Sequence, residues 1–154
     1  MIFEIIFVII LVGIDQWTKL LTIQHLANGN QAITIIDGVF ELTYVENTGA
    51  AFGMFQDATL ILSILVIVIL AVILYFKSKL PITPRYKPLH ILSLFIIAGA
   101  IGNLIDRIRL SYVVDMLHFY WFEFPVFNVA DMYVTCSAVL LMILLLTKYR
   151  DLEI

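Results

Sequence analysis

Of 154 residues, 62% are hydrophobic and only 14% are charged, and the mean hydropathy is +1.04. So short a chain cannot hide that much apolar surface inside itself, which argues against a soluble monomer, and hydrophobicity this high excludes intrinsic disorder. The net charge of −3 comes without a basic stripe and offers nothing to nucleic acid, and the single cysteine, Cys136, excludes an intrachain disulfide and a Cys-based metal site.

The first apolar run extends from Ile2 to about Ile23, the length of a membrane-spanning helix. It has no basic leader and no small-residue cleavage site, so it is expected to be retained as a span rather than removed as a signal peptide. Asp15 and Lys19 share one face of its outer half, four residues apart. Two readings stay open: a self-neutralising pair with Lys19 snorkelling outward, or a polar face turned into a helix bundle.

Gln24 to Asp57 form a loop with four acids and no Lys or Arg. Within it, Ile33–Ile36, Asp37-Gly38 and Val39–Val45 predict a β-hairpin around a type I′ turn. Asn47-Thr-Gly-Ala-Ala-Phe-Gly53 follows, a small-residue stretch that permits close backbone approach. With Phe40, Tyr44, Phe52 and Phe55, residues 32–56 are expected to form a partly embedded platform beside the membrane.

A second span is expected from Ala58 to Phe76, and a third from Leu89 to about residue 107, opened by Pro88. Lys77, Lys79, Arg85 and Lys87 lie between them with no acid. The third span ends in Ala98-Gly-Ala-Ile-Gly102-Asn-Leu-Ile-Asp-Arg107, where Ala98 and Gly102 make a small-xxx-small pair. Asn103, Asp106 and Arg107 share one face; they make either an interfacial Asp–Arg pair or a polar lining between helices. Asp115 then reads as a loop carboxylate or an N-cap unless it belongs to a site. The fourth span, about Val129 to Thr147, opens with Asn128 and Asp131 spaced as a capping box.

The expectation is one integral membrane domain over residues 1–154, mainly α, with four transmembrane helices and a small extracytoplasmic β-hairpin. The basic loop, with Lys148 and Arg150, puts both termini in the cytoplasm by the positive-inside rule, although Arg107 and Arg109 lie near an outer end. Asp115 and Asp131 then fall on the same outer side at similar depth. Two carboxylates close together in a poorly hydrated site share a proton, the arrangement of an aspartic protease. Other chemistries fit poorly. His25, His90 and His118 form no His-Glu-x-x-His motif, and Ser63, Ser93, Ser111 and Ser137 sit in no Gly-x-Ser-x-Gly turn.

Five blocks occur in order: Asp15-Gln-Trp-Thr-Lys19, Asn47-Thr-Gly-Ala-Ala-Phe-Gly53, Gly102-Asn-Leu-Ile-Asp-Arg107, Val113-Val-Asp115 and Phe127-Asn-Val-Ala-Asp131. In these the chain resembles the lipoprotein signal peptidases (signal peptidase II), aspartic endopeptidases of the bacterial cytoplasmic membrane. The resemblance implies cleavage of diacylglyceryl-modified prolipoproteins before the lipid-modified cysteine. It implies Asp115 and Asp131 as the catalytic dyad, with Asp15, Lys19, Asn47, Gly49, Asn103, Arg107, Asn128 and Ala130 shaping or supporting the site. It also implies no metal or organic cofactor, a lid beside the β platform, membrane lipid as surroundings and inhibition by globomycin-type cyclic peptides; a monomer is expected. Ser111 stands where the family often has Gly, and Met116 and Met132 where Phe and Ser are common. Two other readings are a proton-coupled transporter using Asp15, Asp106, Asp115 and Asp131, and a non-catalytic membrane subunit. A relay should cross the membrane, whereas these carboxylates gather at one side.

Overall fold

In lipid no water satisfies backbone N–H and C=O groups, so apolar runs must satisfy their own as helices. The computed structural model describes residues 2–27, 29, 31–49 and 58–150. Its four long helices are α1 (Ile2–Leu26), α2 (Thr59–Lys79), α3 (Lys87–Leu110) and α4 (Val129–Thr147). All four are long and apolar enough to cross a membrane. Three outrun the apolar runs in the sequence. α1 continues to Leu26, α2 takes in Lys77 and Lys79, and α3 begins at Lys87 behind a 3-10 turn, Pro84–Tyr86. Long lysine stems allow this, because the ammonium reaches polar surroundings while the backbone stays helical.

α3 is the centre of the bundle, and α1, α2 and α4 each pack against it. Its glycines make this possible. A Cβ on Gly99 would collide with the carbonyl oxygen of Ala130 in α4, and one on Gly102 would stand 2.5 Å from Asp15 Oδ2 in α1. The close-approach pair is therefore Gly99 and Gly102, while Ala98, the expected partner of Gly102, is simply fully buried. α2 is the opposite case, with Leu62 its one buried residue and large side chains such as Leu60, Ile61 and Ile64 facing outward.

The basic loop, the start of α1 and the end of α4 meet at one end of the bundle. Lys77 Nζ lies 2.8 Å from Glu4 Oε1. Leu80, Leu89 and Tyr149 form a small buried cluster there, and the Tyr149 hydroxyl donates to the Arg85 carbonyl.

At the other end three antiparallel strands form a sheet in the order β1 (Ile33–Ile36), β2 (Phe40–Asn47), β3 (Val113–Phe119). The hairpin differs from a type I′ turn. Gly38 alone has positive φ, +72°, and Val39 N–H donates to the Ile36 carbonyl. Positive φ at the third turn position only is the pattern of a type II turn, which Asp37 tolerates without left-handed strain. β3 is a strand where local pattern predicts a loop or an N-cap for Asp115. Val113 to Met116 are buried on both faces, so the strand shows no polar–apolar alternation to betray it. Asp115 pairs with Val45 in the sheet register, and Val113 with Asn47. Ile33, Ile35 and Ile36 are exposed apolar residues of the platform. Phe52, Phe55, the rest of the stretch after Gly49 and the expected lid lie outside the described residues.

Candidate active site

Three backbone features bring the polar residues to one place. β3 carries Asp115, the last turns of α3 carry Asn103 and Arg107, and the first turn of α4 carries Asp131. Asn128 forms the expected capping box: Asp131 N–H donates to Asn128 Oδ1 at 2.9 Å, and Asn128 N–H donates back to Asp131 Oδ2 at 3.2 Å. The box does not confine these groups to a capping role, because their remaining atoms reach across the bundle. Asn128 Nδ2 donates to Asp115 Oδ1 at 2.6 Å and to Asn103 Oδ1 at 3.1 Å. Asn47 Nδ2 donates to Asp115 Oδ2 at 2.9 Å, and Asn103 Nδ2 to Asp131 Oδ1 at 2.7 Å. All four carboxylate oxygens of the two aspartates thus receive a neutral amide N–H. The aspartates border one cavity of about 510 Å³, together with Asn47, Asn103 and Arg107.

Amides stabilise the carboxylates less than a direct cation would. Burial and the neighbouring charge of Asp131 push the Asp115 carboxyl up to about 7, against the opposing pull of its Asn47 and Asn128 hydrogen bonds.

Behind the amides lies a buried ionic cluster. Lys19 Nζ touches Asn103 Oδ1 at 2.8 Å, Asp106 Oδ2 at 2.9 Å and Asp15 Oδ2 at 3.0 Å, a partner for each of its three donors. Lys19 is 2% exposed, which overturns the snorkelling alternative. The physical reason is a carboxylate from another helix: Asp106 meets Lys19, so the interfacial Asp–Arg pair is also overturned. Asp15 spends its other oxygen on the Ala130 N–H, at 2.9 Å, and so ties α1 to the start of α4. Asp106 Oδ2 accepts the Val114 N–H at 3.2 Å and so holds β3 beside Asp115.

Arg107 turns the other way. Its Nη2 donates to the Gly49 carbonyl at 3.2 Å and its Nη1 to the Asn103 carbonyl at 3.4 Å. Gly49 N–H in turn donates to Asn47 Oδ1 at 3.0 Å, which orients the Asn47 amide toward Asp115. All ten residues singled out in the sequence therefore join one connected network. Two further members lie outside those ten. Asp106 shares a face with Asn103 and Arg107, and the reading of that face as a polar lining between helices is the one the structure bears out. Gln16 carries no such signal in the sequence; its Nε2 bridges Asp106 Oδ1 at 2.8 Å, Asp15 Oδ2 at 3.2 Å and the Gly102 carbonyl at 3.2 Å.

Comparison with known proteins meets this geometry from another direction. The family described as signal peptidase (SPase) II matches residues 6–147. The lipoprotein signal peptidases of Streptococcus pyogenes serotypes M2 and M1 are 39% identical over 137 residues, covering 89% of this chain and 88% of theirs. A bacterial membrane enzyme solved by the in meso method at 2.3 Å superposes with a TM-score of 0.81 at 28% identity, covering 97% of this chain and 91% of that one. A second such structure, at 1.9 Å, gives a TM-score of 0.76 at 28% identity, with 94% and 92% covered. The chain belongs to the lipoprotein signal peptidase (signal peptidase II) family, membrane proteases that cleave the signal peptides of prolipoproteins.

Proposed function

We propose that Asp115 and Asp131 are the catalytic dyad of an aspartic endopeptidase that acts on diacylglyceryl-modified prolipoproteins and cuts before the lipid-modified cysteine. The observation that carries this reading is that a buried aspartate, Asp115, and a partly buried one, Asp131, border one cavity and are joined through a single residue, Asn128. The pair shares one proton. Asp115, raised to about 7, holds it below that pH and donates it toward the scissile carbonyl. Asp131, at the N-terminus of α4, takes a proton from the attacking water, and the helix dipole favours its anion. The water adds to the carbonyl carbon, and the resulting diol collapses with transfer of a proton to the leaving amine.

Asn47, Asn103 and Asn128 aim the carboxylates, Arg107 and Gly49 fix the Asn47 side, and Asp15, Lys19 and Ala130 hold α1, α3 and α4 together beneath them. The basic end of the bundle lies in the cytoplasm with both termini, and the dyad end faces outward, where a lipid-anchored substrate diffusing in the membrane presents its cleavage site. Membrane lipid surrounds a monomer, and a globomycin-type cyclic peptide occupies the cavity in place of substrate.

The test is to incubate the purified protein with a diacylglyceryl-modified prolipoprotein and identify the new N-terminus by mass spectrometry. Release of the signal peptide immediately before the lipidated cysteine, blocked by globomycin, supports the reading. Cleavage elsewhere, or equal cleavage of the unlipidated precursor, contradicts it.

A further inference from the structure

The cavity has two chemically different sides. Its polar side is Asn47, Asn103, Arg107, Asp115 and Asp131. Its other side comes from the segment that leaves β3 and enters α4, and it is aromatic. Phe119, Phe122, Phe124 and Phe127 form a closed cycle of ring contacts, with centroid separations of 6.5, 5.4, 5.6 and 5.9 Å around the cycle. Backbone hydrogen bonds fix the cycle at its base, where Phe127 and Leu117 exchange N–H and C=O groups at 3.0 and 2.8 Å. Phe40 of β2 backs Phe119 at 4.9 Å, and Trp121 packs edge-on to Phe122 at 4.7 Å.

The exposed part of this wall lies where polar residues would be the stable choice if water were the neighbour. Phe122 is 45% exposed, Phe124 40% and Trp121 66%. Tryptophan, here Trp121, gathers where headgroups meet acyl chains, and Phe122 and Phe124 continue its apolar surface into the cavity. A rigid apolar wall that continues directly from a pair of carboxylates suits a substrate in which a peptide bond and a lipid lie side by side.

Resting on the proposed function, we infer that the Phe119–Phe122–Phe124–Phe127 wall is the subsite for the glycerol-ester end and first methylenes of the substrate's S-diacylglyceryl group. It places the lipidated cysteine on the leaving-group side of the dyad and makes the lipid, rather than the peptide sequence, the feature that sets the register of cleavage. Each methylene laid on the wall leaves water, so recognition grows with chain length until the wall is covered.

Two measurements test this. Prolipoprotein of one sequence is prepared with dipalmitoyl and with diacetyl glyceryl groups, and KM is measured at fixed detergent mole fraction for the wild type and for a Phe122→Ser/Phe124→Ser variant. The wild type should show a KM at least about ten-fold lower for the long-chain substrate, and the variant should reduce that ratio to about two or less. A ratio unchanged by the substitutions, or no chain-length preference in the wild type, overturns the subsite. Independently of how the variant folds, a substrate with a photoactivatable diazirine near the glycerol end of one acyl chain is irradiated on the wild-type protein. Adducts within 119–127 are expected, and adducts confined to α1 or α2 overturn the inference. Failure of the wild type to cleave either substrate counts against the proposed function, while the cross-link still decides the location of the lipid.

Discussion

Asn128 Nδ2 lies 2.6 Å from Asp115 Oδ1, while the backbone N–H of the same asparagine bonds Asp131 Oδ2 at 3.2 Å. One residue therefore reaches both aspartates, one through its side chain and one through its main chain. Asn128 is fully buried, so neither bond can be replaced by bulk water.

Asn128→Ala should lower both stability and activity. Loss of the cap costs about 1 kcal/mol, and Asp115 loses one of its two amide donors. Thermal unfolding in detergent should shift down by several degrees, and turnover should fall by at least about 10²-fold, the lower end of what positioned acid–base groups supply. Asn128→Asp keeps a capping oxygen and adds a third carboxylate beside the pair; it should retain stability better than Asn128→Ala at low pH and lose activity as fully.

Lys19→Met should be the most destabilising of these substitutions. It leaves Asp15 and Asp106 facing each other in a buried site with no cation between them. Removing one partner of a buried ionic group costs about 3–5 kcal/mol. Chemical denaturation should show it, and adding Asp106→Asn to the variant should recover part of the loss. A Lys19→Met protein as stable as the wild type would mean that the cluster is hydrated.

Ser111 closes α3 with φ +68°, a left-handed conformation, and is the one non-glycine residue with positive φ among the described residues. Its N–H donates to the Arg107 carbonyl at 3.1 Å, and its carbonyl accepts the Thr59 hydroxyl at 2.8 Å. Both bonds use backbone atoms, so glycine would keep them. Ser111→Gly should raise stability by about 1 kcal/mol, since a left-handed L-residue costs about 1–2 kcal/mol and part of that returns to the unfolded chain as entropy. The same residue had stood out as a departure from the family's usual glycine, and the backbone explains why glycine suits that position.

The titration of Asp115 gives a pH dependence with a definite sign. Its carboxyl is raised from 3.8 to about 7, so the folded state favours the protonated form. The stability this group contributes is complete below pH 3.8 and is lost as pH rises through about 7. Asp115→Asn should remove that decline from a plot of unfolding free energy against pH. In the wild type, kcat/KM should fall as pH rises past about 7, when the dyad loses its shared proton.

The sequence disclosed the spans because lipid imposes a continuous apolar run, a local signal. It disclosed the capping box of Asn128 and Asp131 because that motif is written in four consecutive residues. Local pattern disclosed Asp15 as a partner of Lys19, four residues away on the same face, but not Asp106. Asp106 lies in another helix, and from α1 alone an outward-snorkelling lysine and a buried one look the same. β3 was hidden for a related reason: a strand buried on both faces reads as a plain apolar run. The turn at Asp37-Gly38 was found in place but with different geometry, because one glycine satisfies the single positive φ the chain needs there.

The central claim is that Asp115 and Asp131 act as one catalytic unit. The direct measurement is single-turnover cleavage of a diacylglyceryl-modified prolipoprotein by the wild type, Asp115→Asn and Asp131→Asn, each checked for wild-type thermal unfolding. Either substitution alone should slow the chemical step by at least about 10³-fold. A folded variant of either kind that cleaves within about ten-fold of the wild-type rate would contradict the dyad, because a positioned acid or base is worth more than that.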